Sequence, residues 1–244
     1  MVDNKQSKAS YYTNGSGHQS LMNDNQPTSI VTILSGMPIS FDEIPFLRGA
    51  IIDKVRASNV LFHDHLNNGF RYSYPLIQYK AINGNAAVVA IAEGTNAIKE
   101  ILPHMNTEVR IGNKRCNISL SDVITDVANV RVTEEEHSYS VHRWLPFNQN
   151  NYAEYKRLDS LSLKIEMLQR LMIGNILSFA KGIGIFLNSK VDVSIIDIKS
   201  VRQYRFKNVQ MQGFDIKINT NVVLPMNIGL GKGVSIGFGV INII

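Results

Sequence analysis

The stretch FRYSYPLIQYKAINGNAAVVAIA, Phe70 to Ala92, decides the fold. Its first part, Phe70 to Ile82, is rich in aromatic and branched residues and reads as a strand. Asn83-Gly84 is the pair that supplies two successive positive φ angles in a two-residue hairpin turn, so Ala86 to Ala92 is expected to return antiparallel. Working outward, Ile30 to Leu34 reads as a strand. Ser40-Phe41-Asp42-Glu43 then supplies a hydroxyl cap and two early acids for a helix, with Pro45 in its first turn, where the missing N–H is tolerated. Ile44, Leu47, Ile51, Ile52 and Val55 make the apolar face of that helix, which should finish near Ala57. Beyond the hairpin, Thr95 to Leu102 reads as a short helix stopped by Pro103, followed by a strand near Glu108 to Ile111. Strand, helix, strand, strand, helix, strand is the split βαβ order of a ferredoxin-like domain.

The second half repeats this grammar loosely. His137 to Leu145 reads as a strand. Leu158, Leu161, Ile165, Leu168, Met172, Ile176, Phe179 and Ile183 recur at three and four residues, the stripe of a long amphipathic helix. Strands at Asp192–Ser200, Tyr204–Gln210 and Phe214–Val223 lead to a glycine-rich end, and Glu134-Glu135-Glu136 reads as a solvated turn. The expected organisation is α+β, with residues 1–29 a flexible polar tail, 30–115 an N-terminal ferredoxin-like domain and 116–244 a C-terminal one that carries the glycine-rich loop.

Composition narrows the class. A chain of 244 residues with 44% hydrophobic content holds one large or two small domains and buries a core without staples. The single cysteine, Cys116, excludes an internal disulfide and a cysteine-rich zinc site, and no run of 18 apolar residues or signal-peptide pattern is present, so a reducing cytoplasm fits. A net charge of +5 tilts towards an anionic partner.

The glycine-rich end, Leu224 to Gly239 (LPMNIGLGKGVSIGFG), excludes two nucleotide motifs. A dinucleotide fingerprint must open a helix, and only five residues follow Gly239. A Walker loop needs Ser or Thr after its lysine, whereas Lys232 precedes Gly233 and Val234. Two readings stay open. In one, Gly229, Gly231, Gly233 and Lys232 bring backbone N–H groups and charge to an anionic chain before the backbone returns into a strand; in the other, the glycines serve a bulged hairpin. Upstream, Lys199, Arg202, Tyr204, Arg205, Phe206 and Lys207 interleave bases with aromatics, which suits phosphate contact and base stacking. With period 2, Arg202, Tyr204 and Phe206 share one face and Arg205 and Lys207 the other, so the aromatic face is equally a candidate for core.

These motifs, with DEIPFLRGA (Asp42–Ala50), LFHDH (Leu61–His65), YSYPLIQYK (Tyr72–Lys80), Trp144, Asn151-Tyr152 and IGNIL (Ile173–Leu177) in order, resemble the CRISPR repeat-RNA processing endoribonucleases of the RAMP superfamily, in a form associated with Bacteroidetes-type bacteria. The resemblance implies two ferredoxin-like halves, repeat RNA as substrate, mature guide RNA as product, other CRISPR effector subunits as partners, metal-independent cleavage and no cofactor. Monomer and homodimer both remain open, and a non-catalytic RNA-binding subunit is the alternative. In the family the catalytic histidine follows the first helix, which is where His63 and His65 lie. Histidine, with an unperturbed pKa of roughly 6.5, can act as base or acid near neutral pH. A partial metal site is the competing use of His-x-His, but Cys116 is alone and His104, His137 and His142 are scattered without zinc spacing. Arg71 and Lys80 are candidates to stabilise transition-state charge, Lys80 also to bind RNA. Better-known members carry a tyrosine on the first helix; here Ile51 and Ile52 stand there, leaving Tyr72 or Tyr74 as substitutes.

Overall fold

A computed structural model describes residues 27–55, 65–66, 69–70 and 74–244, the two dipeptides as backbone only. The N-terminal unit opens with β1 (Thr28–Pro38), so the expected tail is two residues too long at its C-terminal end; residues 1–26 lie outside the described residues. A single 3₁₀ turn over Phe41–Glu43 feeds helix α1 (Ile44–Val55). The Ser40 backbone N–H and hydroxyl both donate to Glu43, at 2.9 and 2.8 Å, and these bonds, with Lys114, hold the Glu43 carboxyl at about 2.

Short strands β2 (His65–Leu66) and β3 (Gly69–Phe70) pair with each other, and the expected strand from Phe70 begins only at β4 (Ile77–Ile82). It turns at Asn83-Gly84, both at positive φ, into β5 (Asn85–Ile91). The expected short helix is largely 3₁₀, with one α turn, α2 (Ile98–Ile101). A separate ribbon follows, β6 (Thr107–Ile111) and β7 (Lys114–Ile118), and then β8 (Leu120–Ala128), which the sequence reading missed. β8 returns to the sheet beside β1, giving the order β4-β5-β1-β8, all antiparallel. The boundary expected at 115/116 therefore falls inside β7, and the first unit runs on to Ala128. On the exposed edge strand β8, Asp122 and Asp126 each accept the next residue's backbone N–H at 2.7 Å, a local way of occupying groups that another strand would otherwise pair.

The C-terminal unit has the same order. β9 (Val132–Trp144) includes the three glutamates, which are solvated but extended rather than in a turn. Helix α3 (Gln149–Arg157) precedes the long helix α4 (Leu161–Gly182), whose Ser160 hydroxyl accepts the Leu163 N–H. The three strands expected next are two long ones, β10 (Val193–Phe206) and β11 (Val209–Val222), joined by Lys207-Asn208 at φ 48° and 63°. The chain ends in β12 (Val240–Ile243), and the sheet order is β10-β11-β9-β12. Where a second helix would stand, this unit has the glycine-rich segment and a single 3₁₀ turn, Val234–Ile236.

Two cores result. One face of the first sheet, with Ile33, Ile77, Tyr79 and Val88, packs on Leu47 and Ile51 of α1 and Ile101 of α2. The other face sends Ile30, Val89 and Ile91 into a cluster with Tyr139, Val141 and Ile216 of the second sheet and Leu168, Met172 and Ile176 of α4. The units are thus joined by a continuous apolar seam. Among the described residues no helix is long and apolar enough to cross a membrane.

Candidate nucleic-acid interface

The glycine-rich segment is fastened to the edge strand of the N-terminal unit. The Tyr74 hydroxyl donates to the Gly229 carbonyl at 2.8 Å, the Gly229 N–H donates to Gln78 Oε1 at 3.1 Å, and Gln78 Nε2 donates to the Tyr74 hydroxyl at 2.7 Å. Burial pushes the Tyr74 hydroxyl far above the ordinary range for a phenol, so it stays a neutral donor. Gly229 is buried and its carbonyl and N–H are both engaged, so the expectation that it meets RNA is corrected: it serves packing. Gly231, at φ 90°, lies where a Cβ would come within 2.9 Å of the Trp144 ring and the Leu145 carbonyl. Lys232 is half-buried and its N–H donates to that same carbonyl at 3.1 Å, while Gly233, also half-buried, lies beside Phe238 and Phe206.

On the β10–β11 hairpin, Lys199, Arg202, Arg205 and Lys207 are exposed. Arg205 reaches Asn208 at the tip (3.2 Å), and Lys207, placed by the sequence reading on a strand face, is a turn residue. Tyr204 and Phe206 turn inward, their rings 5.6 and 5.8 Å from that of Phe238, so the aromatic face is in part core.

The sequence reading passed over Arg143. In β9, Trp144 is paired with Phe214 and Val141 with Ile216, so His142 and Arg143 together oppose Asp215, a β-bulge. Arg143 has φ 52°, a left-handed conformation that costs a residue with a Cβ about 1–2 kcal/mol. Its N–H donates to Asp215 Oδ1 at 2.7 Å, and the Ser200 hydroxyl donates to Oδ2 at 2.6 Å. Burial alone would raise the Asp215 carboxyl, but these two bonds and the His142 and Arg143 charges outweigh it and hold it below its ordinary range. The Arg143 guanidinium lies 4.2 Å from the centroid of the Phe41 ring, across the seam, and its positive charge acts on the Tyr204 hydroxyl.

Of the expected catalytic set, His63, Arg71 and Tyr72 lie outside the described residues, and His65 begins β2, its backbone paired opposite Phe70. Lys80 needs a correction. It lies on the same β4 face as Gln78, turned into the seam, and is fully buried with no hydrogen-bond partner for Nζ among the described residues, so it is not on an RNA-facing surface. Burial pulls its pKa down to about 7 from 10.5. Because the unfolded chain holds this proton up to about pH 10.4 and the folded chain releases it near 7, stability is expected to rise with pH across that window. Lys80→Met should remove that rise and raise Tm at pH 7 by roughly 4 °C or more, read by thermal melts at pH 7 and 9. An unchanged pH dependence would mean that the amine is solvated.

Family models describe the two units. The Cas6b N-terminal domain matches residues 27–129 and the Cas6b C-terminal domain matches 131–244. A crystal structure of Cas6b is similar at 28% identity with a TM-score of 0.82, covering 90% of this chain and 100% of that one. A CRISPR RNA processing endoribonuclease Cas6b is similar at 25% identity and TM-score 0.70, with the same coverage. An uncharacterized protein of Methanocaldococcus jannaschii is 32% identical over 96 residues, which span 39% of this chain and 64% of that protein's length. Two ferredoxin-like units of one strand order, a glycine-rich segment in place of the second unit's second helix, and matches to both halves of one family in the right order establish that the chain belongs to the Cas6b family.

Proposed function

We propose that the chain is an endoribonuclease that binds CRISPR precursor RNA and cuts within each repeat to give guide RNAs, without a metal. Membership of the Cas6b family, with His63 and His65 in the segment that follows α1 in sequence, carries the reading. In the proposed step a base takes the proton of the 2′-hydroxyl as the 2′-oxygen bonds to the adjacent phosphorus. The P–O5′ bond breaks, and an acid protonates the departing oxygen. The products are a 2′,3′-cyclic phosphate and a 5′-hydroxyl. The two imidazoles are assigned the proton transfers, with Arg71 and Tyr72 as neighbours that stabilise charge.

For RNA binding, the proposal uses the exposed bases of the hairpin, Arg202, Arg205 and Lys207, with Gly231, Lys232 and Gly233 alongside. Lys232→Ala and Arg205→Ala are each expected to weaken repeat-RNA binding and to make the plot of log affinity against log salt shallower by roughly 0.7–1 per lost phosphate contact. An unchanged slope in both variants would place the RNA elsewhere. The function itself is tested by incubating the protein with end-labelled repeat RNA: one discrete cut per repeat is expected, whereas tight binding without cleavage would identify a non-catalytic subunit of a ribonucleoprotein.

A further inference from the structure

We propose that Arg143 forms a phosphate-binding subsite for the repeat RNA at the seam between the two units, with Tyr204 and Arg202 as its neighbours. This deepens the function proposed above and rests on it. Four observations bear on it. Arg143 sits in a bulge, a device that re-aims a side chain, and it holds a left-handed backbone conformation that glycine or asparagine would adopt with less strain. The bulge is clamped rather than loose, since Asp215 accepts the Arg143 N–H and is itself fixed by Ser200, and the Arg143 carbonyl accepts the Gly239 N–H at 3.2 Å. The guanidinium is held on Phe41, whose ring also lies 4.8 Å from Phe238 and 6.2 Å from Tyr204. Finally, Arg143 is only partly buried, and Arg202, on the strand face it shares with Tyr204, is exposed, both charges acting on the Tyr204 hydroxyl.

An arginine is chosen where a planar fork of donors must meet an anion. Stacking on Phe41 uses one face of the guanidinium, which leaves its in-plane N–H groups for an anion on a side chain whose freedom has already been reduced. Among the described residues whose charges act on Tyr204, Asp215 is the one acid. Its oxygens are spent on Ser200 and the Arg143 backbone, and the Arg143 guanidinium and a half-exposed His142 lie close to it, while the Arg143 and Arg202 charges both act on Tyr204, so the local field favours an anion. The chemistry fitted is a phosphodiester of the RNA backbone, and the subsite would set where the strand crosses from the hairpin to the N-terminal unit.

Arg143→Asn tests this without forcing the backbone, because asparagine accepts the left-handed conformation. Expected are a repeat-RNA affinity lowered about 3- to 10-fold, a salt slope shallower by roughly 0.7, and a Tm no lower than that of the wild type. Arg143→Lys should keep the slope and still lose affinity, since the charge survives and the stacked fork does not. If Arg143→Asn does not fold, Arg143→Gln, which keeps a flat, neutral amide over Phe41, carries the same expectation. A lowered Tm with unchanged slope and affinity would make Arg143 a staple between the units and overturn the inference alone. A wild type that binds no repeat RNA would overturn it together with the proposed function.

Discussion

The His63→Ala/His65→Ala double variant is expected to cleave repeat RNA at a single-turnover rate about 10²–10⁴-fold below the wild type, with affinity changed less than about threefold. A neutral imidazole makes few phosphate contacts, so a group that moves a proton in the transition state should be visible in the rate and not in binding. The single variants divide the roles. If one histidine is base and the other acid, each single loss should approach that of the double variant, because the two act on one transition state and their effects do not add. If only one transfers a proton, the other should cost far less; His65, with Arg71 six residues on, is the expected major contributor. Equal cleavage by wild type and double variant would remove this site from the mechanism.

What was legible from sequence was local. The Asn83-Gly84 turn and the Ser40–Glu43 start of α1 are each written within four residues, and both stand where expected. The turn at Lys207-Asn208 was not legible: it has the same pair of positive φ angles as an Asn-Gly hairpin but lacks glycine, and the cross-strand pairing of β10 with β11 imposes it. Strand β8 was missed because both its faces are exposed, leaving no apolar alternation to read. Lys80 reads as a strand cation. Its burial depends on the C-terminal unit closing over that face of β4, the closure that brings Gly229 to Gln78 across 151 residues. Arg143 was invisible for a similar reason, since a bulge exists only relative to the partner strand that carries Asp215.

The largest expected effect comes from the substrate. Replacing the ribose 5′ to the cut by 2′-deoxyribose should lower cleavage by about 10⁵-fold or more, because the nucleophile held beside its own phosphate has an effective concentration that water cannot match. Affinity should change little, since the phosphates that the hairpin bases and Arg143 are proposed to bind are intact. The same reaction with all-ribose RNA is expected to run at an unchanged rate in excess EDTA, because a vicinal hydroxyl and two imidazoles supply nucleophile, base and acid. End analysis should find a 2′,3′-cyclic phosphate and a 5′-hydroxyl. A metal-activated water would invert the cleavage results: the deoxy substrate would be cut, EDTA would stop the reaction, and the downstream product would carry a 5′-phosphate. That pattern would transfer the chemistry away from His63 and His65 to a cation site, and would leave the RNA-binding surface described above as it stands.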